Sequence, residues 1–133
     1  MKKLLFVFVV NVIILTSCSS DDNNSNISYR INPPEWIQGE WLLDGTTYGE
    51  SGFRFSNDDL IIIQLSLETS QKTLFKQSVN LGQNVTTDEV KTESSYNLKA
   101  SFASGQTVTY GFTKISDTKI SYDAAPNSIY IRQ

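Results

Sequence analysis

The sequence predicts an all-β fold, a small antiparallel up-and-down barrel of about seven to eight strands, preceded by a leader and a tether. Three observations carry that expectation. Past position 35 almost every apolar residue falls into a run of period two, the pattern of strands with one wet face. Clusters of Gly, Asn, Asp and Ser punctuate these runs at hairpin spacing. Long helical periods with recognisable caps are absent.

The chain opens MKKLLFVFVVNVIILTSC: two lysines, an apolar run from Leu4 to Leu15 broken once by Asn11, then Thr16-Ser17-Cys18. A charged start, an apolar run too short to span a bilayer and a processing site make 1–17 a secretory signal peptide rather than a fold element. Leu15-Thr16-Ser17-Cys18 resembles the lipobox of bacterial lipoproteins, in which the cysteine is acylated and begins the mature chain. Cys18 is the only cysteine, so no internal disulfide, CxxC redox pair or cysteine metal site can form. The resemblance implies that Cys18 is a lipid anchor and that the membrane is a partner, held by acyl chains.

Residues 18–34, polar and poor in apolar side chains, are expected to be a disordered tether. Within them Ser19-Ser20-Asp21-Asp22 resembles the acidic export signal of surface-exposed lipoproteins of the Bacteroidetes. That resemblance implies a place on the bacterial outer membrane, facing the cell surface; an acidic spacer without that role is the alternative. Fourteen acidic side chains stand against eleven basic ones, and two of the latter, Lys2 and Lys3, precede Cys18. A mildly acidic surface without basic clusters argues against nucleic acid as a partner.

Residues 35–133 are enough for one small domain with a single core. The first strand is expected over Gly39 to Leu43. Phe53 and Phe55 flank Arg54 in the second, before the turn Ser56-Asn57-Asp58-Asp59. Leu60 to Leu67 reads as a third strand, with Ile61, Ile63, Leu65 and Leu67 on one side and Gln64 and Ser66 on the other. From Glu68 to Glu93 the pattern is ambiguous: Leu74, Phe75, Val79 and Leu81 suit a short amphipathic helix or a strand, and Val85 to Val90 a strand or a loop. Tyr96, Leu98, Ala100 and Phe102 share one parity, as do Val108, Tyr110 and Phe112. The turn Ala103-Ser104-Gly105 should join these two runs as a hairpin. Lys119 to Tyr122 and Ser128 to Arg132 form a final pair.

The stretch Pro33–Gly45 contains both tryptophans of the chain, and Ile37-Gln38-Gly39-Glu40-Trp41 resembles the G-x-W that begins the first strand of lipocalins and related small barrels. The resemblance implies that Trp41 plugs the closed end of the barrel and that an arginine near the far end of the chain, here Arg132, stacks across its ring. Such a pair adds a cation–π contact of ~0.5–2 kcal/mol. Trp36 is assigned to the lead-in of the first strand, as a cap or a partner contact. The chain departs from that family in lacking its C-terminal helix and its disulfide.

Histidine is absent altogether. That removes the usual general base, the Ser-His and Cys-His nucleophile arrangements and the commonest zinc ligand. The carboxylates fall mostly in predicted turns, where they serve as caps and Asx-turns; Asp58-Asp59 lacks the spaced ligands of a calcium loop. The sequence therefore predicts no catalytic residue, no metal, no cofactor and no enzyme. With Phe53, Phe55, Tyr96, Phe102, Tyr110 and Phe112 facing inward, two functions are expected. One is binding of a small hydrophobic ligand at the open end, with the Tyr96 and Tyr110 hydroxyls as polar anchors. The other is a solid barrel serving as a protein-interaction, inhibitor or accessory module at the cell surface.

Overall fold

The structure, a computed structural model, describes residues 28–133. The signal peptide, Cys18 and the first part of the expected tether lie outside the described residues. The chain forms nine strands: β1 (Gly39–Leu43), β2 (Gly52–Phe55), β3 (Leu60–Gln64), β4 (Leu67–Ser70), β5 (Val85–Lys91), β6 (Ser95–Phe102), β7 (Thr107–Ser116), β8 (Lys119–Tyr122) and β9 (Ala125–Arg132). One helix, α1 (Gln71–Asn80), links β4 to β5, and a 3-10 turn at Glu35–Ile37 precedes β1. The strands make one antiparallel sheet in the order β4-β3-β2-β1-β9-β8-β7-β6-β5, curled into a half-barrel.

This is the neighbour order of an up-and-down barrel with one pair missing. First and last strands are joined, Trp41 opposite Arg132 and Leu43 opposite Tyr130, but β4 and β5 do not pair. The expected all-β, antiparallel up-and-down architecture is what forms, with nine strands and an open seam in place of a barrel of seven to eight, and the ambiguous segment 68–93 is the reason for the difference. It holds the end of β4, the helix and β5. Ser70 caps the helix, its hydroxyl accepting from Thr73 N–H at 3.0 Å, and Asp59 accepts from Lys72 N–H at 3.0 Å. These contacts satisfy first-turn donors and set a carboxylate at the positive end of the helix. Gln71 and Phe75, one turn apart, are buried, and Val79 packs against the same core.

The other side of the seam is closed by residues that the sequence assigns to the tether. Ser28 Oγ donates to Val85 O, Arg30 N–H to Thr87 Oγ1 and Asn32 N–H to Glu89 Oε1. The constant offset means that this segment runs parallel to β5, held mainly by the Thr87 and Glu89 side chains. Ile31 is buried in the main cluster and Tyr29 meets Phe75 edge to face at 5.8 Å. The packed structure therefore extends back to at least Ser28, ahead of the expected start at Glu35.

A second difference lies at Leu60–Leu67. It is not one strand but β3, a turn at Leu65-Ser66 and β4, and both turn residues have positive φ, 50° and 65°. Leu60 and Ile62 face the core beside Phe55 and Phe53, whereas Ile61 lies opposite Arg54 on the outer face. There Arg54 is held at 2.5 Å by Glu40 and at 2.8 Å by Glu68, tying β4 to β2 and β1.

Candidate functional site

Every strand of the half-barrel turns at one of two ends. At the closed end, where β1 begins and β9 finishes, Trp41 is fully buried and its Nε1–H donates to Ile37 O at 2.6 Å. The Arg132 guanidinium lies 4.1 Å from the indole centroid. It also donates to three backbone carbonyls, those of Trp36 at 2.6 Å, Gln38 at 2.7 Å and Asp117 at 3.1 Å. One side chain thus ties the lead-in, β1 and the β7–β8 turn together. Gly39, at φ 117°, makes room for it, because a Cβ there would come to 3.0 Å from an Arg132 nitrogen. Trp36 sits at the margin, donating to Thr92 O, with Lys114 Nζ 6.0 Å from its ring.

Between the ends, the inward rings fill the interior. Phe53, Phe55, Tyr96 and Phe112 are buried, and Phe112 meets Phe53 at 4.8 Å and Phe55 at 5.0 Å. Phe102 and Tyr110 are only partly buried and pack against the core from the seam side, Phe102 against Phe75 at 6.0 Å. The two hydroxyls expected as ligand anchors are already engaged. Tyr96 donates to Glu89 at 2.7 Å and Tyr110 to Gln71 at 2.8 Å. Burial pushes the Tyr96 phenol far above the usual tyrosine range, and the neighbouring Glu89 carboxylate pushes it further, so it is a donor at any physiological pH.

Space for a ligand appears instead at the open end, where the β1–β2 loop and the β3–β4 and β8–β9 turns gather. A cleft of about 280 Å³ lies there between Gly52, Phe53, Ile62, Gln64, Tyr122 and Tyr130. Tyr122 and Tyr130 stand 4.9 and 5.0 Å from Phe53, which forms the floor. Neither hydroxyl has a hydrogen-bond partner among the described residues, leaving both available to a bound molecule. Burial raises both phenols above the usual range, the Asp123 carboxylate adding to it for Tyr122 and Tyr122 itself for Tyr130.

Two larger hollows are surface grooves. One, of about 370 Å³, follows the seam between Tyr29–Ile31 and the Asp58–Lys72 ion pair; the other, of about 430 Å³, lies outside β1 and β9. Neither is lined by the inward rings of the strands, whereas the mouth cleft is, and it is the candidate site. Among the described residues no three of His, Cys, Asp and Glu gather as metal ligands.

Sequence reasoning missed Tyr122, Tyr130, Gln71 and Glu89. The two tyrosines carried a signal, since each shares parity with an apolar inward residue of its strand, Ile120 beside Tyr122 and Tyr130 in an apolar run. Gln71 and Glu89 carried none, because a polar side chain facing inward reads as an outward one. Comparison with known proteins gave no matching family model, no matching curated protein and no matching solved structure.

Proposed function

We propose that this protein is a lipoprotein of the bacterial outer membrane, anchored through Cys18 and facing the cell surface, whose lipocalin-like half-barrel binds one small apolar ligand at its mouth. The observation that supports the reading is the cleft lined by the Phe53, Tyr122 and Tyr130 rings at the open end. Ligand sites are typically concave, mostly apolar and supplied with a few polar groups. At about 280 Å³ the cleft falls just under the ~300–1,000 Å³ of drug-sized sites, while an enclosed cavity of ~150 Å³ suffices for benzene. One aromatic ring or a short acyl chain fits that volume; a sterol or a long fatty acid does not.

Thermal shift against single-ring aromatics and short-chain acids tests the proposal. Ligand at ~100 times its Kd stabilises by ~2.7 kcal/mol, a rise of many degrees for a domain of this size. Ala125, which lines the cleft, is the control position: Ala125→Trp should remove the shift while leaving the unliganded midpoint in place. Absence of any shift across the panel counts against ligand binding.

The close ring packing inside the barrel favours a second reading. A solid module would act through its outer surface on a protein partner, as an inhibitor or accessory subunit. Specific capture of one envelope protein, undiminished by Ala125→Trp, would favour it. Neither reading includes catalysis.

A further inference from the structure

The strands and loops sort the exposed apolar side chains unevenly between the two ends. Tyr48 is 86 % exposed, Leu81 83 %, Leu67 74 % and Leu65 67 %, the four most exposed large apolar residues among those described. All four lie at the open end: Tyr48 in the β1–β2 loop, Leu65 in the β3–β4 turn, Leu67 at the start of β4 and Leu81 just past α1. Scattered single exposures need no explanation, but a rim of them does.

Leu65 is the least expected of the four. Its φ of 50°, followed by 65° at Ser66, is the left-handed pair of a tight hairpin turn, where glycine or asparagine is the usual occupant. The turn is pinned to the neighbouring loop, Ser66 N–H donating to Glu50 O at 2.8 Å and Glu50 N–H to Ser66 Oγ at 3.1 Å. A leucine held there fills no core and is presented to whatever lies beyond the rim.

The path of the chain says what lies beyond it. Ser28 bonds Val85, the first residue of β5, and the segment then runs along β5 to Trp36 at Thr92. The chain therefore joins the domain at the open end. Ser28 follows Cys18 by ten positions, a reach of at most ~35 Å. A domain of this size has a radius of gyration of ~13 Å, and because the chain joins it at the open end, an anchor at Cys18 brings the open rim nearer the bilayer than the Trp41 end.

We propose that the open end of the half-barrel seats on the bilayer that carries its own anchor, through Tyr48, Leu65, Leu67 and Leu81. Apolar and aromatic side chains on a rim suit the headgroup boundary. Asp44, Glu50 and Asp123, in loops of the same end, select against anionic headgroups and for zwitterionic ones. The mouth cleft then opens toward lipid, and its ligand arrives from the membrane. The inference rests on acylation of Cys18, and the test separates the two.

The full chain is expressed in a bacterium and the mass of the Cys18 peptide is read, which decides the anchor. The protein is then placed in zwitterionic vesicles whose lipids carry brominated acyl chains, quenchers of indole fluorescence. Tyr48→Trp and Leu81→Trp report on the rim, and Asp117→Trp, at a side chain 92 % exposed in the β7–β8 turn, reports on the closed end. Fluorescence of Trp36 and Trp41 in the parent chain gives the background. The expected result is at least twofold stronger quenching for the two rim variants than for Asp117→Trp, weakened in anionic vesicles. Equal quenching at both ends, or none in an anchored protein, overturns the seating. Where Cys18 proves unacylated the anchor reading fails. Coupling its thiol to a maleimide lipid in the same vesicles then leaves the quenching pattern to decide the seating.

Discussion

Replacing Trp41 measures how much of the fold hangs on its closed end. The indole is fully buried, so Trp41→Ala removes a large core side chain, at ~3–5 kcal/mol. The same change strips the Ile37 carbonyl of its 2.6 Å partner, and an orphaned buried acceptor is worth ~1–3 kcal/mol. The loss should therefore sit at the upper end of that range, a third or more of the ~5–15 kcal/mol typical of a whole domain. Trp41→Phe keeps a ring under the guanidinium and loses the donor and part of the volume, for ~1.5–3 kcal/mol. Combining Trp41→Ala with Arg132→Met isolates the ring–cation contact. The three carbonyl bonds of Arg132 are lost in both backgrounds and cancel, so the coupling left over should be ~0.5–2 kcal/mol. Urea unfolding followed by far-UV circular dichroism gives each value, provided the slope with denaturant is unchanged. A loss under ~1 kcal/mol for Trp41→Ala, or a coupling near zero, would refute a closed end built on this pair.

Three further outcomes follow from the packing. Gly52→Ala places a Cβ 2.0 Å from Trp41 O and 2.9 Å from Leu42 Cα, backbone that cannot step aside, whereas Gly111→Ala meets the movable carboxylate of Asp123 and amide of Asn97. Thermal unfolding should therefore show a loss of ~3 kcal/mol or more at position 52 and about half that at position 111. Gln71→Ala leaves the Tyr110 hydroxyl without its 2.8 Å acceptor, at ~1–3 kcal/mol. Adding Tyr110→Phe should recover part of that loss in the same unfolding assay; strict additivity would show the bond to be inert. Lastly, burial holds the Tyr96 phenol well above its ordinary value. A raised folded pKa means that stability is whole below ~10, where the unfolded phenol titrates, and falls above it by ~1.4 kcal/mol per pH unit. Tyr110, Tyr122 and Tyr130 shift in the same direction but are more exposed and contribute less. Chemical unfolding between pH 8 and 11 should show that decline, made shallower by Tyr96→Phe.

What could be read from the sequence follows from how strongly each residue's neighbours in the chain determine its surroundings. The β6–β7 hairpin was legible because strict alternation, Tyr96 to Phe102 and Val108 to Phe112, leaves one way to bury the rings, and Ala103-Ser104-Gly105 supplies the turn. The β3–β4 turn was not, because Leu65-Ser66 occupies a left-handed pair without glycine, and an apolar residue in a turn reads as strand. Segment 68–93 stayed ambiguous because one helical face of Gln71, Phe75 and Val79 has a polar member. Gln71 is inward only because Tyr110, 39 residues away, meets it there. The mouth cleft depends on Phe53, Tyr122 and Tyr130 converging from three strands, and parity marks each as inward without marking that they meet.

The open seam explains why the ordered domain reaches back into the polar segment before Glu35. A sheet of nine strands that does not close leaves two edges, and free edges are templates for pairing with other chains. Here each edge is dealt with by a different means. Beside β4, α1 lies across the gap with Phe75 inward, and Glu68 is drawn to Arg54 on the outer face. Beside β5, residues 28–32 are held by side-chain-to-backbone bonds, Thr87 Oγ1 accepting from Arg30 N–H and donating to Arg30 O. Threonine and glutamate at inward positions of β5 would be errors in a closed barrel, where every backbone group already has a neighbouring strand. At an edge they are what lets an irregular segment bond to the sheet. The polar residues that obscured the sequence pattern from 68 to 93 are therefore the same ones that replace the missing strand pair.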